Sequence, residues 1–160
     1  MQKVTILCVG KMKEKFYIDA AAEYGKRLSR HCKLEIIELP EQRLSDNPSR
    51  AEMDAALARE AAAVSEKLPK GGAVIAMCIE GKTMSSEALA QCFSKFALEG
   101  KSRLTFLIGG SIGLHPSLKA QADLRLSMSP MTFPHHLARV MLLEQIYRGY
   151  QILEGSRYHK

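Results

Sequence analysis

No run of apolar residues in this chain reaches the roughly 18 positions that a membrane-spanning helix needs. No membrane partner is therefore expected. The opening stretch, MQKVTILCVGK, is too short and too soon interrupted by charge to read as a secretory signal, and a cytoplasmic protein is expected. Cysteine is sparse and scattered: Cys8, Cys32, Cys78 and Cys92 form no C-x-x-C pair. No zinc site, and no metal site of any kind, is suggested. Cys8 and Cys78 fall in predicted strands and Cys92 in a predicted helix, so all four read as buried, reduced thiols. The order of residues shows no Ser-His-Asp or Cys-His arrangement for nucleophilic catalysis. Internal repeats, linkers and low-complexity segments are absent too. The 160 residues are expected to form one domain, residues 1–160, with a substantial core.

Acidic residues are also in short supply. Seventeen Asp and Glu face 23 Lys and Arg, giving a net charge of +6. Such a balance favours an anionic partner, nucleic acid foremost, although many basic proteins bind none. The excess is uneven. Lys3, Lys11, Lys13, Lys15, Lys26, Arg27, Arg30 and Lys33 meet only Glu14, Asp19 and Glu23 in the first 33 residues. A phosphate-binding patch and a merely solvated helix face are both open readings of that cluster.

What is present alternates between two periods. VTILCV, within Lys3–Val9, reads as a strand closed by Gly10. A helix is predicted from about Glu14 to Arg30, burying Tyr17, Ala20, Ala21, Tyr24 and Leu28. A second strand covers Lys33–Leu39, and Pro40 ends it. Residues 40–49 read as loop. Ser49 with Glu52 three residues later forms a capping box for a helix whose inner face is Met53, Leu57, Ala61, Val64 and Leu68. Pro69-Lys70-Gly71-Gly72 breaks it. Ala73–Ile79 is a third strand. A helix over Ser86–Leu98 points Leu89, Cys92, Phe93 and Phe96 inward. A fourth strand, Leu104–Ile108, runs into Gly109-Gly110. A short helix follows Pro116, and Asp123–Met128 is a short fifth strand. The last helix, His135–Leu153, is apolar nearly all round, with one polar stripe of Glu144, Arg148 and Gln151. It needs cover on more than one side, from deep burial or from a second copy of the chain. The fold class is thus α/β, a mostly parallel sheet with helices on both faces.

Several motifs bear on chemistry. Glu80-Gly81-Lys82-Thr83 resembles the end of a phosphate-binding loop, but position 76 is Ala where that motif needs Gly, and residues 76–79 are strand. Nucleotide hydrolysis is excluded on that ground. Gly109-Gly110-Ser111-Ile112-Gly113 is not the dinucleotide fingerprint. It follows the fourth strand rather than the first, and no acidic residue sits where ribose binding wants one. Glycines at the carboxyl end of a buried strand nonetheless let the backbone approach a ligand; a tight turn without a ligand is the other reading. Ser127–Pro134 mixes apolar and hydroxyl residues on a path fixed by Pro130 and Pro134. It reads either as a grip on a flat, partly apolar ligand or as a connector. His135, His136 and His159 with Arg139 are candidates for acid–base work, although a His pair at a helix start is more often capping or surface.

Taken together, LIGGSIGL, LSMSPMTFPHHLARVMLLEQIYRGYQI and a terminal RYHK, preceded by VTILCVGKMKEKFY and VIAMCIEGK, resemble the ribosomal RNA large subunit methyltransferase H family. This is the small branch of the SPOUT methyltransferases, and the resemblance spans the whole chain. It implies a trefoil knot in the C-terminal part, a homodimer, and S-adenosylmethionine as methyl donor without a metal. By the family pattern Met77, Gly109 and the loop Met128, Ser129, Pro130, Met131, Thr132 and Phe133 line the cofactor pocket. Relatives usually carry another aliphatic residue at Met77, a mild exchange where only an apolar wall is needed. The implied reaction methylates N3 of a pseudouridine in helix 69 of 23S rRNA on assembled ribosomes. For catalysis the resemblance points to the C-terminal tail for substrate contact: Tyr158 and His159 are expected near the target base, Arg139 and Arg148 near phosphate or base edges, and His159 is the candidate proton acceptor. Arg148, Lys11, Lys13 and Lys15 are expected to contact RNA. Two alternatives stand beside it: a tRNA methyltransferase of the same superfamily, and a non-catalytic ribosome-binding factor.

Overall fold

The apolar runs pair side by side into one sheet in the computed structural model, which describes residues 1–160. In chain order the elements are β1 (Gln2–Val9), α1 (Lys15–Leu28), β2 (Cys32–Leu39), α2 (Arg50–Lys67), β3 (Ala73–Thr83), α3 (Ser86–Leu98), β4 (Arg103–Ile108), α4 (Pro116–Gln121), β5 (Leu124–Ser127) and α5 (His135–Leu153). The strands lie in the order β2-β1-β4-β3-β5, and every pairing is parallel. A parallel sheet must be covered on both faces, and the alternation of side chains sorts its residues between two cores. Val4, Ile6 and Cys8 join Leu28, Phe93, Leu142, Leu143 and Ile146 on the face of α1, α3 and α5. Leu7 and Val9 join Ala61, Val64 and Leu118 on the face of α2 and α4.

The strand and helix spacing of the sequence is realised closely, and the departures have local causes. β3 was expected to end at Ile79 but continues to Thr83, because Lys82 and Thr83 pair with Leu126 and Ser127 of β5. Met77 also pairs with Leu126, so residues 78–81 bulge out of the ladder. Gly81 belongs to that bulge. A Cβ there would lie 2.8 Å from the carbonyl carbon of Arg125, so the glycine admits the backbone of β5 and holds no phosphate.

The helices show where periodicity alone misleads. In α1 only Leu28 is buried; Tyr17, Ala20, Ala21 and Tyr24 are half-covered, while Phe16 and Ile18 stand exposed. In α2 the Ser49–Glu52 capping box forms as expected. Its buried face is Ala56, Glu60, Ala61 and Val64, and Met53, Leu57 and Leu68 stay half-buried. Glu60 tolerates burial because one carboxylate oxygen accepts the Gln42 amide at 2.9 Å; its burial still pushes the carboxyl above its ordinary range. All four cysteines are free. Cys8 and Cys32 are buried, whereas Cys78 and Cys92 are only half so.

Gly149 of α5 faces the Phe93 ring of α3. A Cβ there would meet the Phe93 ring at 2.7 Å, and that ring is already wedged against Phe106 and Tyr150. At Gly25 of α1 the nearest atom to an added Cβ is Leu34 Cδ2 at 3.9 Å. The same exchange should therefore have opposite signs at the two sites. Gly25→Ala should stabilise by about 0.5–1 kcal/mol through helix propensity. Gly149→Ala should destabilise by about 1–3 kcal/mol through overpacking. Denaturant unfolding of the two variants checks both.

Candidate active site

At the carboxyl ends of β3, β4 and β5 the connecting segments enclose a cleft of about 800 Å³, within the usual range for small-molecule sites. Four segments wall it: Met77–Glu80 of β3, residues 109–114 after β4, the end of β5 with the loop that follows it to Pro134, and the first turn of α5. Gly109 is needed because the returning chain crosses directly over it. A Cβ at Gly109 would fall 2.4 Å from the carbonyl carbon of Gly113. Gly110 and Gly113 close the crossing as an antiparallel bridge, and Gly113 takes φ +81°.

Of the residues expected around a cofactor, Met77, Gly109, Met128, Ser129, Met131, Thr132 and Phe133 all line this cleft. Pro130 does not, and it is exposed. The loop braces itself. Ser127 Oγ donates to the Ser129 carbonyl at 3.0 Å, and the Met131 amide donates to Ser129 Oγ at 3.0 Å. α5 begins without a side-chain cap, leaving first-turn N–H groups beside the cleft. Ile79 and Met131 form an apolar rim, 51% and 73% exposed. The charged side chains of the wall are few. Glu80 and Lys119 pair at 2.5 Å, tying α4 to the β3 bulge, and His135 stands at the start of α5.

Behind the wall lies a group of polar residues that no sequence spacing signals, since the partners are far apart in the chain. Glu41 Oε1 accepts both the amide and the hydroxyl of Ser111, each at 2.8 Å. Burial pushes the Glu41 carboxyl up, but the Ser111 donors and the neighbouring imidazoles outweigh it and hold it below its ordinary range. Its other oxygen lies 3.8 Å from His135 Nε2. The His135 and His136 rings meet at 4.2 Å, and His136 Nδ1 is 3.4 Å from Glu14. Burial first, and the adjacent His136 second, lower the His135 pKa below its usual value.

Arg139 was expected near the substrate, but its side chain is 3% exposed and faces the protein interior. Its Nη1 donates to Glu38 at 2.6 Å and its Nη2 to the Gly10 carbonyl at 2.9 Å. The geometry makes it a positioning residue that pins the start of α5 to the ends of β1 and β2. The C-terminal residues do not line the cleft either. His159 bridges Glu87 at 2.6 Å and Arg148 at 3.1 Å. Tyr158 packs between the Arg148 guanidinium and Tyr147. Lys11, Lys13 and Lys15 are exposed. The first two lie between β1 and α1, at the end of the sheet that carries the cleft.

A family model described as a SPOUT methyltransferase matches residues 2–159. A protein of Acetivibrio thermocellus named ribosomal RNA large subunit methyltransferase H is 46% identical over 158 residues, covering 99% of each chain. One of the same name from Clostridium beijerinckii is 45% identical over 157 residues, covering 98% of this chain and 99% of the relative. Among solved structures, a methyltransferase-like protein of Bordetella pertussis superposes with TM-score 0.59 at 12% identity, covering 93% of this chain and 95% of that one. A methylase-family protein of Haemophilus influenzae gives 0.58 at 12% identity over 99% of this chain and 71% of that one. At such identities the two structures speak to the fold alone.

The Arg139–Glu38 pair has a measurable pH signature. Burial raises the Glu38 carboxyl, but the Arg139 and Met12 hydrogen bonds more than reverse this and leave its pKa below 4.5. A carboxyl depressed in the folded state contributes stability above its unfolded pKa and loses it as pH falls through the folded value. Glu38→Gln should therefore be less stable than the parent at pH 7, with the gap closing as pH drops below about 4.5. Arg139→Met, which leaves a partly buried carboxylate unpaired, should cost about 2–4 kcal/mol. Unfolding measured across pH 3–8, roughly the carboxylate-to-imidazole titration range, checks both.

Proposed function

The chain belongs to the SPOUT methyltransferase family, and from that premise we propose that it methylates N3 of a pseudouridine in helix 69 of 23S rRNA, on assembled ribosomes and with S-adenosylmethionine as donor. The observation that carries this reading is the cleft itself. Gly109, Met77 and residues 128–133 meet around one volume in a chain nearly half identical to proteins named as rRNA methyltransferases. The lining fits the donor. Met77, Met128, Met131 and Phe133 offer apolar walls for a flat base, the crossing at Gly109 keeps side chains out of the cradle, and loop and helix-start backbone groups supply polar contacts. No group suited to hold a metal ion is present.

When bound, the donor supplies a methyl group made electrophilic by its sulfonium. The protein's own part is to align, desolvate and manage a proton. Residues 127–134 are pre-braced by Ser127 and Ser129, so little ordering is spent on closing around the ligand. The exposed rim of Ile79 and Met131 offers a surface for an unstacked base. Lys11, Lys13, Lys15 and Arg148 are taken as phosphate contacts, and Tyr158 and His159 as contacts to the nucleotide. In this reading the protein is a cytoplasmic homodimer. Its C-terminal part threads as a trefoil knot, a reading that β3 supports by lying between β4 and β5 although it precedes both in the chain.

Transfer of labelled methyl from S-adenosylmethionine to ribosomes lacking the modification, with naked 23S rRNA and tRNA alongside, tests the reading. Label mapped to the helix 69 pseudouridine, in assembled ribosomes only, is expected. Label in tRNA would overturn the substrate. Ribosome binding with no label anywhere would favour a binding factor. The triple variant Lys11→Ala, Lys13→Ala, Lys15→Ala should bind ribosomes more weakly with a salt slope reduced by about 2–3, as expected for lost phosphate contacts. Its affinity for S-adenosylmethionine should be unchanged.

A further inference from the structure

Methylation of an N–H group releases a proton, and the polar group behind the cleft wall offers a place for it. We propose that His135 is the proton acceptor of the methyl transfer and that Glu41 is its positioning residue. The inference rests on the reading above that the acceptor atom carries a hydrogen. As the N–CH3 bond forms, the methyl–sulfur bond breaks with its electron pair left on sulfur, and the N–H proton passes to the imidazole. The step needs no other reactant.

Geometry favours His135 over the C-terminal histidine. A base needs an unshared lone pair facing the substrate. His159 lies outside the cleft of its own chain and has both ring nitrogens committed: Nδ1 to the Arg148 guanidinium, which can only donate, and Nε2 to the Glu87 carboxylate, which can only accept. His135 lines the cleft. Its Nε2 is enclosed without a hydrogen-bond partner and faces the Glu41 carboxylate at 3.8 Å. A carboxylate on that side favours the tautomer with hydrogen on Nε2 and leaves Nδ1 free to accept. The separation is long for a hydrogen bond, as is common before a substrate tightens a site.

The surroundings suit a base that must be neutral at rest and cationic briefly. Glu41 comes from the segment after β2, Glu14 from the segment before α1, His136 and Arg139 from α5, and Gly10 from the end of β1. Glu41 and Glu14 favour the cation; burial, His136 and Arg139 disfavour it and prevail. Glu41 cannot swing away, since Ser111 holds its other oxygen twice. A side chain at Gly10 would be strained by its φ of +101° and would press its Cβ to 3.2 Å from both Glu41 Oε2 and His135 Nε2.

Two measurements test this, one of them without substrate. Long-range 1H–15N correlation spectra of the free protein should show His135 neutral at pH 7.5, roughly a unit above the ordinary histidine value, with hydrogen on Nε2. Glu41→Gln should lose that preference. A charged ring, or hydrogen on Nδ1, overturns the proposal. In single-turnover methyl transfer to ribosomes, His135→Ala and His135→Gln should be slower by about 100-fold or more, in the range for loss of a general base. Their affinity for S-adenosylmethionine should stay within about threefold of the parent, well under one decade in binding constant, and added imidazole should restore part of the rate of His135→Ala. In Glu41→Gln the acid limb of the rate profile should move to lower pH, because the carboxylate that favours the imidazolium is gone. His135 variants that transfer methyl within about threefold of the parent rate, far short of a lost general base, overturn it. A parent enzyme that labels no ribosome overturns the substrate reading instead, and the spectra then decide the His135–Glu41 pair alone.

Discussion

A buried guanidinium fixes where the last helix begins, and the cleft depends on that position. Arg139 cannot be stored in the interior without compensation. It receives it from Glu38 at the end of β2 and from the Gly10 carbonyl at the end of β1. One cation thereby holds α5 against the carboxyl edge of the sheet. Everything in the preceding turn of that helix inherits the placement: Pro134, His135 and Ala138 reach the cleft, and His135 arrives opposite Glu41. Glu41 in turn reaches across to Ser111 in the glycine crossing. The two acidic residues at the end of β2 thus act as a pair of braces, one under the helix and one under the turn.

Most of the fold could be read from the sequence because its signals are local. Strand runs ended by glycine or proline, the Ser49–Glu52 box and the bounds of α5 each depend on residues within a few positions of one another. What could not be read depends on distant partners. β3 continues to Thr83 only because β5 returns beside it. Glu60 is buried because a loop amide eighteen residues away needs an acceptor. Arg139 looked like a substrate contact, since nothing near it in the chain reveals that Glu38, 101 residues earlier, would neutralise it.

The lining of the cleft was legible for a different reason. The expected residues fall in three short stretches, around Met77, at Gly109 and over residues 128–133, whose resemblance to a family carries their arrangement, and all but Pro130 line the cleft. The catalytic assignments relied on the C-terminal tail, and the structure seats that tail against α3 and α5 instead. The histidine pair at the start of α5 looked like capping by position. Yet α5 has no side-chain cap, and both Nε2 atoms are enclosed and unpartnered. Two orphaned ring nitrogens, one on the wall of a cleft and one behind it, carry a cost, and such costs are commonly linked to function.

The strand order has a consequence for how the chain reaches this state. β1 pairs with β4 at Lys3 and Arg103, a hundred residues apart, and β3 must sit between two strands that are made after it. Closing such long loops costs entropy before any contact repays it, which places this topology among slow folders. During synthesis the amino-terminal strands emerge with the inner edge of β1 bare until β4 is made, and with Glu38 unneutralised until Arg139 leaves the ribosome. The nascent chain spends most of its translation as a half-sheet awaiting its own last helix.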